Sequence, residues 1–188
     1  MADTGDLSVG TIIRFNGELC LITEYQHRTP GNLRAFFQAK MKNLRTNKSV
    51  EYRFRAGEGV EIARVEHKMM EYVYEAGDEL CVMDKETFDQ VNIDKQMLGD
   101  QIKFLKEGMD IKVAFEGEAP ILAEMATFVN LAITFAEGAV KGNTSSNALK
   151  KCNVETGAEV MVPLFYNEGD VIRIDTRTGD YVERVSKG

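Results

Sequence analysis

Apolar and polar residues alternate in short runs along most of the chain, and a period of two is typical of β-strands. The run Ile12–Phe15 is followed by Asn16-Gly17, a dipeptide typical of two-residue hairpin turns. A second apolar run then occupies residues 20–25. The pattern therefore predicts a β-hairpin close to the start of the chain.

A longer alternation over residues 34–44 divides the side chains of one predicted strand between two faces. One face carries Ala35, Phe37, Ala39 and Met41, and the other carries Phe36, Gln38, Lys40 and Lys42. The preceding residues 27–33 include Pro30-Gly31, which favours a turn. We therefore predict a long hairpin with an exposed tip.

Helical spacing is convincing only over residues 94–105. Met97, Leu98, Ile102 and Leu105 recur there at helical intervals. They follow Asp94, whose carboxylate can cap the N-terminus of a helix. We therefore predict one helix in a chain that otherwise consists of strands.

A ten-residue pattern occurs twice with an offset of 61 residues, at residues 104–113 and 165–174. Both copies follow F-x-x-E-G-x-x-I-[KR]-[VI], a Glu-Gly turn that leads into a strand. If the offset is a domain length, the chain divides into three units of about 62 residues, near the lower limit for independent folding. β-Rich units of that size suit small barrels of the SH3-like or OB type.

Composition and charge add a candidate binding surface. With 44% hydrophobic and 28% charged residues among 188, the chain is neither disordered nor collagen-like. Its net charge of -7 argues against nucleic acid, yet residues 26–55 hold eight basic side chains opposed only by Glu51. Such a patch on an acidic body can bind phosphate locally. The alternative is a solvated strand surface that happens to be basic.

The residue types needed for catalysis or metal binding have no recognisable spacing. His27 and His67 lie far apart and have no cysteine or paired carboxylate at ligand spacing. No glycine-rich phosphate loop and no G-x-S-x-G motif occurs. We therefore expect no catalytic residues, no metal and no cofactor.

Localisation is indicated by three sequence features. Cys20, Cys81 and Cys152 are too scattered for a disulfide framework, which suits a reducing compartment. The first residues resemble no signal peptide, and no apolar run approaches the roughly 20 residues of a membrane span. We therefore expect a cytoplasmic protein.

The most specific motif lies in the C-terminal third, at residues 154–165 (VETGAEVMVPLF) and 167–181 (NEGDVIRIDTRTGDY). It closely resembles the signature of the bacterial translation elongation factor P family. Residues 7–11 resemble the opening of the family's first domain, and residues 30–36 resemble its hairpin tip. Residues 142–144 fall where the family has a Gly-Asp-Thr loop. The resemblance covers essentially the whole chain.

This resemblance implies a mainly all-β fold of three small β-barrels in an L shape that mimics tRNA. An N-terminal SH3-like (KOW-type) domain with the basic hairpin would occupy residues 1–64. OB-fold barrels would follow at residues 65–126 and 127–188.

The implied function is that of a translation elongation factor without enzymatic activity. It would bind the 70S ribosome beside an initiator or prolyl peptidyl-tRNA, stimulate peptide-bond formation and relieve stalling at consecutive prolines. The resemblance implies no cofactor, no DNA and no membrane partner, and a monomer in the cytoplasm.

The resemblance also implies three groups of site residues. The hairpin tip, facing the tRNA acceptor end and the peptidyl-transferase centre, would comprise Arg28, Pro30, Gly31, Asn32, Leu33 and Arg34. RNA phosphates would be contacted by Lys40, Lys42 and Arg45. Loops of the C-terminal domain that contact the ribosome or RNA would contribute Gly142, Asn143, Thr144, Arg177, Tyr181 and Arg184.

The hairpin tip departs from the family pattern at one position. Many members have a lysine directly after Pro-Gly, and a modifying enzyme extends it, whereas this chain has Asn32. Lys40 lies eight residues further on, about 26 Å along a strand, too far to substitute for it. Arg34 is close, but its surroundings do not match the branch that modifies an arginine. We expect an unmodified tip; the alternative is a modification of a type that the sequence does not identify.

A second departure from the family pattern is Asn143, in place of the family's Asp, which removes a charge but keeps a turn-forming side chain.

Three alternatives stay open at this point. A general OB-fold binder of single-stranded RNA needs exposed aromatic side chains for base stacking, and only Phe36 is placed on the basic face. An acidic interaction protein would leave the basic hairpin unexplained. A ribosome-binding paralogue with a different target would share all of these features.

Overall fold

The computed structural model of the protein describes residues 2–29, 31, 34–138 and 148–188. Regular structure within these residues is almost all β-strand, so the prediction of a mainly all-β chain is confirmed. Short 3-10 helices occupy Thr4–Asp6, Lys95–Met97 and Gly99–Phe104. Among the described residues, no helix has the length and apolar character that crossing a membrane requires.

Three sheets follow one another along the sequence. The first sheet contains β1 (Ala2–Asp3), β2 (Ile12–Phe15), β3 (Glu18–Arg28), β4 (Phe36–Asn43), β5 (Ser49–Arg55) and β6 (Gly59–Ile62), in the order β1-β6-β2-β3-β4-β5. The second contains β7 (Glu66–Ala76), β8 (Glu79–Asp84), β9 (Gln90–Asp94), β10 (Asp110–Glu116) and β11 (Ala119–Met125), in the order β11-β10-β7-β8-β9. The third contains β12 (Phe128–Ala136), β13 (Leu149–Val154), β14 (Glu159–Pro163), β15 (Val171–Asp175) and β16 (Tyr181–Ser186), in the order β14-β13-β12-β15-β16.

Packing groups the chain into two compact units. One consists of Met1–His67 with Ala114–Leu122, and the other of Lys68–Val113 with Ala123–Gly188. Within the second unit, the Thr156 hydroxyl donates to the Lys103 carbonyl at 2.7 Å, and Lys106 forms an ion pair with Glu155 at 2.5 Å. The predicted division at residues 64 and 126 stays a prediction.

The first sheet forms around two hairpins that the residue pattern predicts. Asn16 and Gly17 have φ values of 51° and 81°, the left-handed conformations that a two-residue type I′ turn requires. They connect β2 to β3, which pair antiparallel. β3 then pairs with β4, whose Ala39 and Met41 are fully buried beside Ile22. The alternating apolar positions of β4 therefore face the core, as predicted.

The repeated Glu-Gly pattern has the same structure in the second and third sheets. Gly108 donates its N–H to the Tyr72 carbonyl at 2.8 Å, and Gly169 donates to the Ile133 carbonyl at 2.9 Å. Donors and acceptors are both offset by 61 residues, the offset of the sequence repeat. The two glycines have φ values of 81° and 88°, which explains why the turn needs glycine. The repeat is therefore structural and extends to β7 and β12.

A second repeat occurs once in each sheet, and sequence reasoning missed it. It is a six-residue turn, found at Asn43–Lys48, Asp84–Asp89 and Asp175–Asp180. In each turn the N–H of the first residue donates to the carbonyl of the sixth, and the N–H of the fifth residue donates to the carbonyl of the first. The first side chain accepts a backbone N–H within each turn. The fifth residue has a positive φ: Asn47 at 57°, Phe88 at 63° and Gly179 at 79°. The shared sequence is [ND]-x-[RE]-T-x-[KD].

The predicted helix over residues 94–105 is wrong as a single helix. Asp94 does cap a helical segment, because its carboxylate accepts the Gln96 N–H at 2.8 Å. The segment is nevertheless divided into two 3-10 helices, since Gly99 has a φ of 56°, a left-handed conformation that a right-handed helix cannot continue through. Of the four apolar residues at helical spacing, Leu98 is buried and the other three are half-buried. The fully buried ring of this segment belongs to Phe104, which the spacing did not single out.

Candidate functional site

The outward face of β3, β4 and β5 carries the basic residues of the first sheet. We call this surface the hairpin face; its cations are Arg28, Lys40, Lys42, Arg53 and Arg55. These side chains lie on the face opposite to the buried Ala39 and Met41, because the alternation along a strand sends neighbouring side chains to opposite sides. The register of the three strands therefore brings residues that are up to 27 positions apart in the sequence onto one face of the sheet.

Positive charge on the hairpin face is concentrated towards the tip. In the row nearest the tip, Phe36 lies between Arg28 and Arg55. In the next row, Gln38 lies between Gln26 and Arg53. Neither row contains a carboxylate.

Further from the tip, the charge on this face is balanced. Lys40 lies between Glu24 and Glu51 and forms an ion pair with Glu24 at 3.3 Å. Lys42 lies in the next row, beside Ser49. Of the predicted phosphate contacts, Lys40 is therefore neutralised within the sheet, whereas the tip-proximal guanidinium groups of Arg53 and Arg55 were missed as site residues. The register of β5 on β4 is the signal that identifies them.

An aromatic side chain adds a stacking surface to the hairpin face. The guanidinium of Arg53 lies 4.4 Å from the centroid of the Phe36 ring, a cation–π contact. Arg28 donates to the Gln26 side chain at 2.7 Å. Planar guanidinium groups bind phosphate bidentately and also stack on rings, so this surface suits a nucleic acid backbone with accessible bases.

The opposite face anchors the hairpin to its own sheet. The rings of Tyr25 and His27 stack on Phe37, with centroids 5.2 Å and 4.7 Å apart. The Tyr25 hydroxyl donates to the Thr4 carbonyl at 2.5 Å. Burial, followed by the nearby Asp3 carboxylate, raises the pKa of Tyr25 to about 12, so the phenol stays a donor at neutral pH. These contacts fix the orientation of the long strands β3 and β4 within the first sheet.

The predicted hairpin tip is only partly described. Arg28 ends β3, Gly31 has a φ of 44°, and Arg34 is exposed. Pro30, Asn32 and Leu33 lie outside the described residues. The absence of a modification at Asn32 stays a prediction.

Arg45 lies at the end of β4 that is distant from the tip. Its guanidinium donates to both carboxylate oxygens of Glu18, at 2.9 Å and 2.5 Å. The hydrogen bond to this carboxylate, followed by its charge, raises the pKa of Arg45. Arg45 thus has an intramolecular carboxylate partner where a phosphate contact was predicted.

Tyr181 and Arg184, two predicted contacts of the C-terminal domain, belong to one cluster in the third sheet. Arg184 forms an ion pair with the buried Asp170 at 3.0 Å and lies 4.3 Å from the centroid of the Tyr166 ring. The hydroxyl groups of Tyr166 and Tyr181 are hydrogen-bonded. Burial, followed by this hydrogen bond, raises the pKa of Tyr166 to about 12. The cluster therefore has a clear stabilising role.

Arg177 lies in the third of the six-residue turns. It donates to Asp175 at 3.0 Å and 2.7 Å while its own side chain stays 62% exposed.

Gly142, Asn143 and Thr144, the other predicted contacts of the C-terminal domain, lie outside the described residues. In the part of the chain that is described, His, Cys, Asp and Glu side chains form no group that could hold a metal ion.

We expect acid to destabilise the third sheet through Asp175. The side-chain hydrogen bond from Arg177, with further backbone donors, lowers the pKa of Asp175 to about 2. An unfolded chain has an Asp pKa of about 3.9, so the stabilisation is complete above pH 4 and is lost as the pH falls towards 2. Thermal melting at several pH values should show this loss.

The matched variant is Asp175→Asn, which keeps an acceptor for the turn, as Asn43 does in the first sheet. It should melt below the wild-type protein at pH 6, and the difference should disappear near pH 2. A constant difference across this range would contradict the assignment.

Comparison with known proteins agrees with this geometry. Three family models match the chain: the elongation factor P KOW-like domain at residues 3–60, the elongation factor P OB domain at residues 65–123, and the elongation factor P C-terminal domain at residues 129–184. The predicted combination of an N-terminal KOW-type domain with OB-type barrels is confirmed.

Full-length relatives carry the same description. Elongation factor P of Chloroherpeton thalassium is 45% identical over 188 residues, 100% of both chains. Elongation factor P of Roseiflexus sp. (strain RS-1) is 46% identical over 186 residues, 98% of this chain and 100% of the relative. Among solved structures, eukaryotic translation initiation factor 5A from Methanococcus jannaschii has a TM-score of 0.52 at 16% identity, covering 66% of this chain and 90% of that one. This last likeness concerns the fold alone.

Proposed function

The chain belongs to the elongation factor P family, and from that membership we propose that it binds the ribosome beside the peptidyl-tRNA and relieves stalling at consecutive prolines. It is a translation elongation factor, and the family implies interaction with the ribosome. The position beside the tRNA and the proline target are the parts that we propose.

The observation that carries the proposal is the charge distribution on the hairpin face. Arg28, Arg53 and Arg55 occupy the two rows nearest the tip, and neither row contains a carboxylate. Further back, Lys40 is balanced by Glu24 and Glu51. A hairpin that is positive only near its tip favours RNA phosphate at that end, because phosphate contacts supply most of the affinity for nucleic acids.

The proposed mechanism is positioning, and the ribosome performs the chemistry. The proline ring fixes φ and restricts the residue before it, so a prolyl substrate reaches a reactive geometry less often. Holding the acceptor end of the tRNA in place offsets part of that entropic cost. The anchored strands β3 and β4 suit this task, since Tyr25 and Phe37 fix the hairpin to its sheet. We propose that the protein is not an enzyme.

The remaining parts of the proposal concern partners and modification. We propose that the protein acts in the cytoplasm as a monomer, with the 70S ribosome and an initiator or prolyl peptidyl-tRNA as partners. It needs no membrane and no DNA. Asn32 is proposed to act unmodified.

We expect the unmodified protein to accelerate synthesis of a peptide with consecutive prolines about tenfold or more in a reconstituted translation system, a size within the range of positioning effects. The matched template replaces the prolines with alanines and should respond little. Equal stimulation of both templates, or none of either, would contradict the proposal.

Intact-mass spectrometry of protein from its own host tests the tip separately. A mass equal to that of the unmodified chain is expected. An added mass that maps to Arg28, Asn32 or Arg34 would overturn the unmodified tip and leave the proline assay unaffected.

A further inference from the structure

Phe88 is the most exposed large apolar side chain among the described residues, at 70% exposure. Two other exposed aromatic rings have partners on the surface. Phe165 stacks on Tyr166 at 4.8 Å, and Phe128 lies 5.1 Å from the guanidinium of Arg173. The exposed ring forgoes the hydrophobic stabilisation that burial against another molecule would give it.

The backbone at Phe88 is also unfavourable for this residue type. Phe88 has a φ of 63°, in the left-handed region where a bulky L-residue is strained. The equivalent positions of the two other six-residue turns are Asn47 and Gly179, residue types that tolerate this conformation. The fold therefore does not need a phenyl ring at this position and would be better served by Asn or Gly.

Acidic groups predominate around Phe88. Glu86 and Asp89 flank it in the turn, and both are exposed. Lys85 lies between two carboxylates, Asp110 at 2.9 Å and Glu71 at 3.8 Å.

The other cation close to the turn is also paired. Lys68 lies 3.7 Å from Asp84, the first residue of the turn. A ring surrounded by carboxylates repels RNA phosphate, and it suits a protein surface with an apolar pocket and a cationic rim.

We propose that Phe88 is an anchor that inserts into an apolar pocket on a basic protein of the ribosome. This inference rests on the proposed ribosomal function and adds a second contact, made by the second sheet with protein, to the RNA contact of the hairpin face. A single aromatic side chain in a desolvated pocket commonly dominates the energy of such an interface.

The test uses the full chain with Phe88→Asn and Phe88→Gly, which place at this position the residues found in the equivalent turns. Both variants should melt at a higher temperature than the wild-type protein, because the left-handed strain is relieved. Both should bind purified 70S ribosomes about tenfold more weakly, since a hot-spot side chain is lost. Asn47→Gly is the matched control and should leave ribosome affinity unchanged.

Unchanged ribosome affinity of both variants would overturn the proposal, because the ring would then make no contact. Stimulation of consecutive-proline synthesis by those variants would in that case leave the proposed function standing. A wild-type chain that fails to bind ribosomes would overturn both.

Photo-crosslinking identifies what contacts the ring. A benzoyl-phenylalanine at position 88 should crosslink to a ribosomal protein when the full chain is mixed with purified 70S ribosomes. Crosslinks to ribosomal RNA or to a second copy of the chain, or the absence of any crosslink, would overturn the proposal that Phe88 binds a pocket on a ribosomal protein.

Charge reversal of Glu86 and Asp89 to lysine provides an independent check. It should weaken ribosome binding if the rim is cationic. Stronger binding would instead indicate RNA and would overturn the proposal.

Discussion

Replacing Asp170 with alanine is expected to lower the melting temperature by roughly 6–12 °C, the effect of about 3 kcal/mol on a chain of this size. The Asp170 carboxylate is 2% exposed and accepts the N–H groups of Asn167 at 3.0 Å and Gly188 at 3.1 Å. It also pairs with Arg184 at 3.0 Å. Removing it leaves the half-buried Arg184 guanidinium without its carboxylate.

Because of Arg184, removing the Asp170 carboxylate should cost more stability than breaking an ordinary surface ion pair. Its Nε is already buried without a hydrogen-bond partner, and its guanidinium is stacked over Tyr166 at 4.3 Å. The stacked guanidinium cannot turn to solvent without losing that contact. Asp170→Asn, which keeps the size and one acceptor, should cost less than alanine.

Asp180→Ala is the matched control for the alanine variant. Asp180 is exposed and lies in the turn between β15 and β16, so its replacement should change the melting temperature by less than about 2 °C. Calorimetry of the wild-type protein and the three variants at pH 7 measures the differences. If Asp170→Ala melts within that range of the wild-type protein, the Asp170 network does not hold the third sheet together.

Local sequence patterns predict much of this fold because turn conformation and the alternation of buried and exposed side chains depend on neighbouring residues. Asn16-Gly17 predicts its hairpin, since these residues accept the left-handed conformations that the turn needs. Alternation predicts which face of β4 is buried. The helix prediction fails because apolar spacing is compatible with any buried turn, and Gly99 decides the backbone path.

The candidate site is less accessible to sequence reasoning, because charge partners come from distant parts of the chain. Arg45 pairs with Glu18, and Arg184 pairs with Asp170, and no local pattern shows either pairing. Composition identifies residues 26–55 as basic, but only the register of β4 on β5 shows that Arg53 lies near the tip.

The threefold turn shows a different limit. Its pattern [ND]-x-[RE]-T-x-[KD] is present in the sequence, yet the offsets between copies differ, so a search for one fixed repeat length finds only the Glu-Gly pair. The aligned copies then single out Phe88 as the one bulky residue at a left-handed position. Neither exposure nor φ is visible before the structure is known.

Replacing Arg34, Arg53 and Arg55 by glutamine in one triple variant is expected to weaken the salt dependence of ribosome binding. The slope of log affinity against log salt concentration should become shallower by about 2–3. Each lost phosphate contact removes about 0.7–0.9 from that slope. From 50 to 200 mM salt, wild-type affinity should therefore fall roughly 20- to 40-fold more than the variant's. Synthesis through consecutive prolines should fall in parallel at low salt, because fewer factors are bound.

The control must remove the same charge elsewhere, since the chain already carries a net charge of -7 and neutralisation alone alters long-range attraction to RNA. Arg64, Lys112 and Lys187 are exposed and lie outside the hairpin face, so a triple glutamine variant at these positions matches the change. Its salt slope should stay close to that of the wild-type protein. Among single variants, Arg34→Ala should likewise reduce activity more than Lys112→Ala. Equal slopes for the two triple variants would show that RNA responds to the overall charge of the chain, and the hairpin face would then have no specific part in binding.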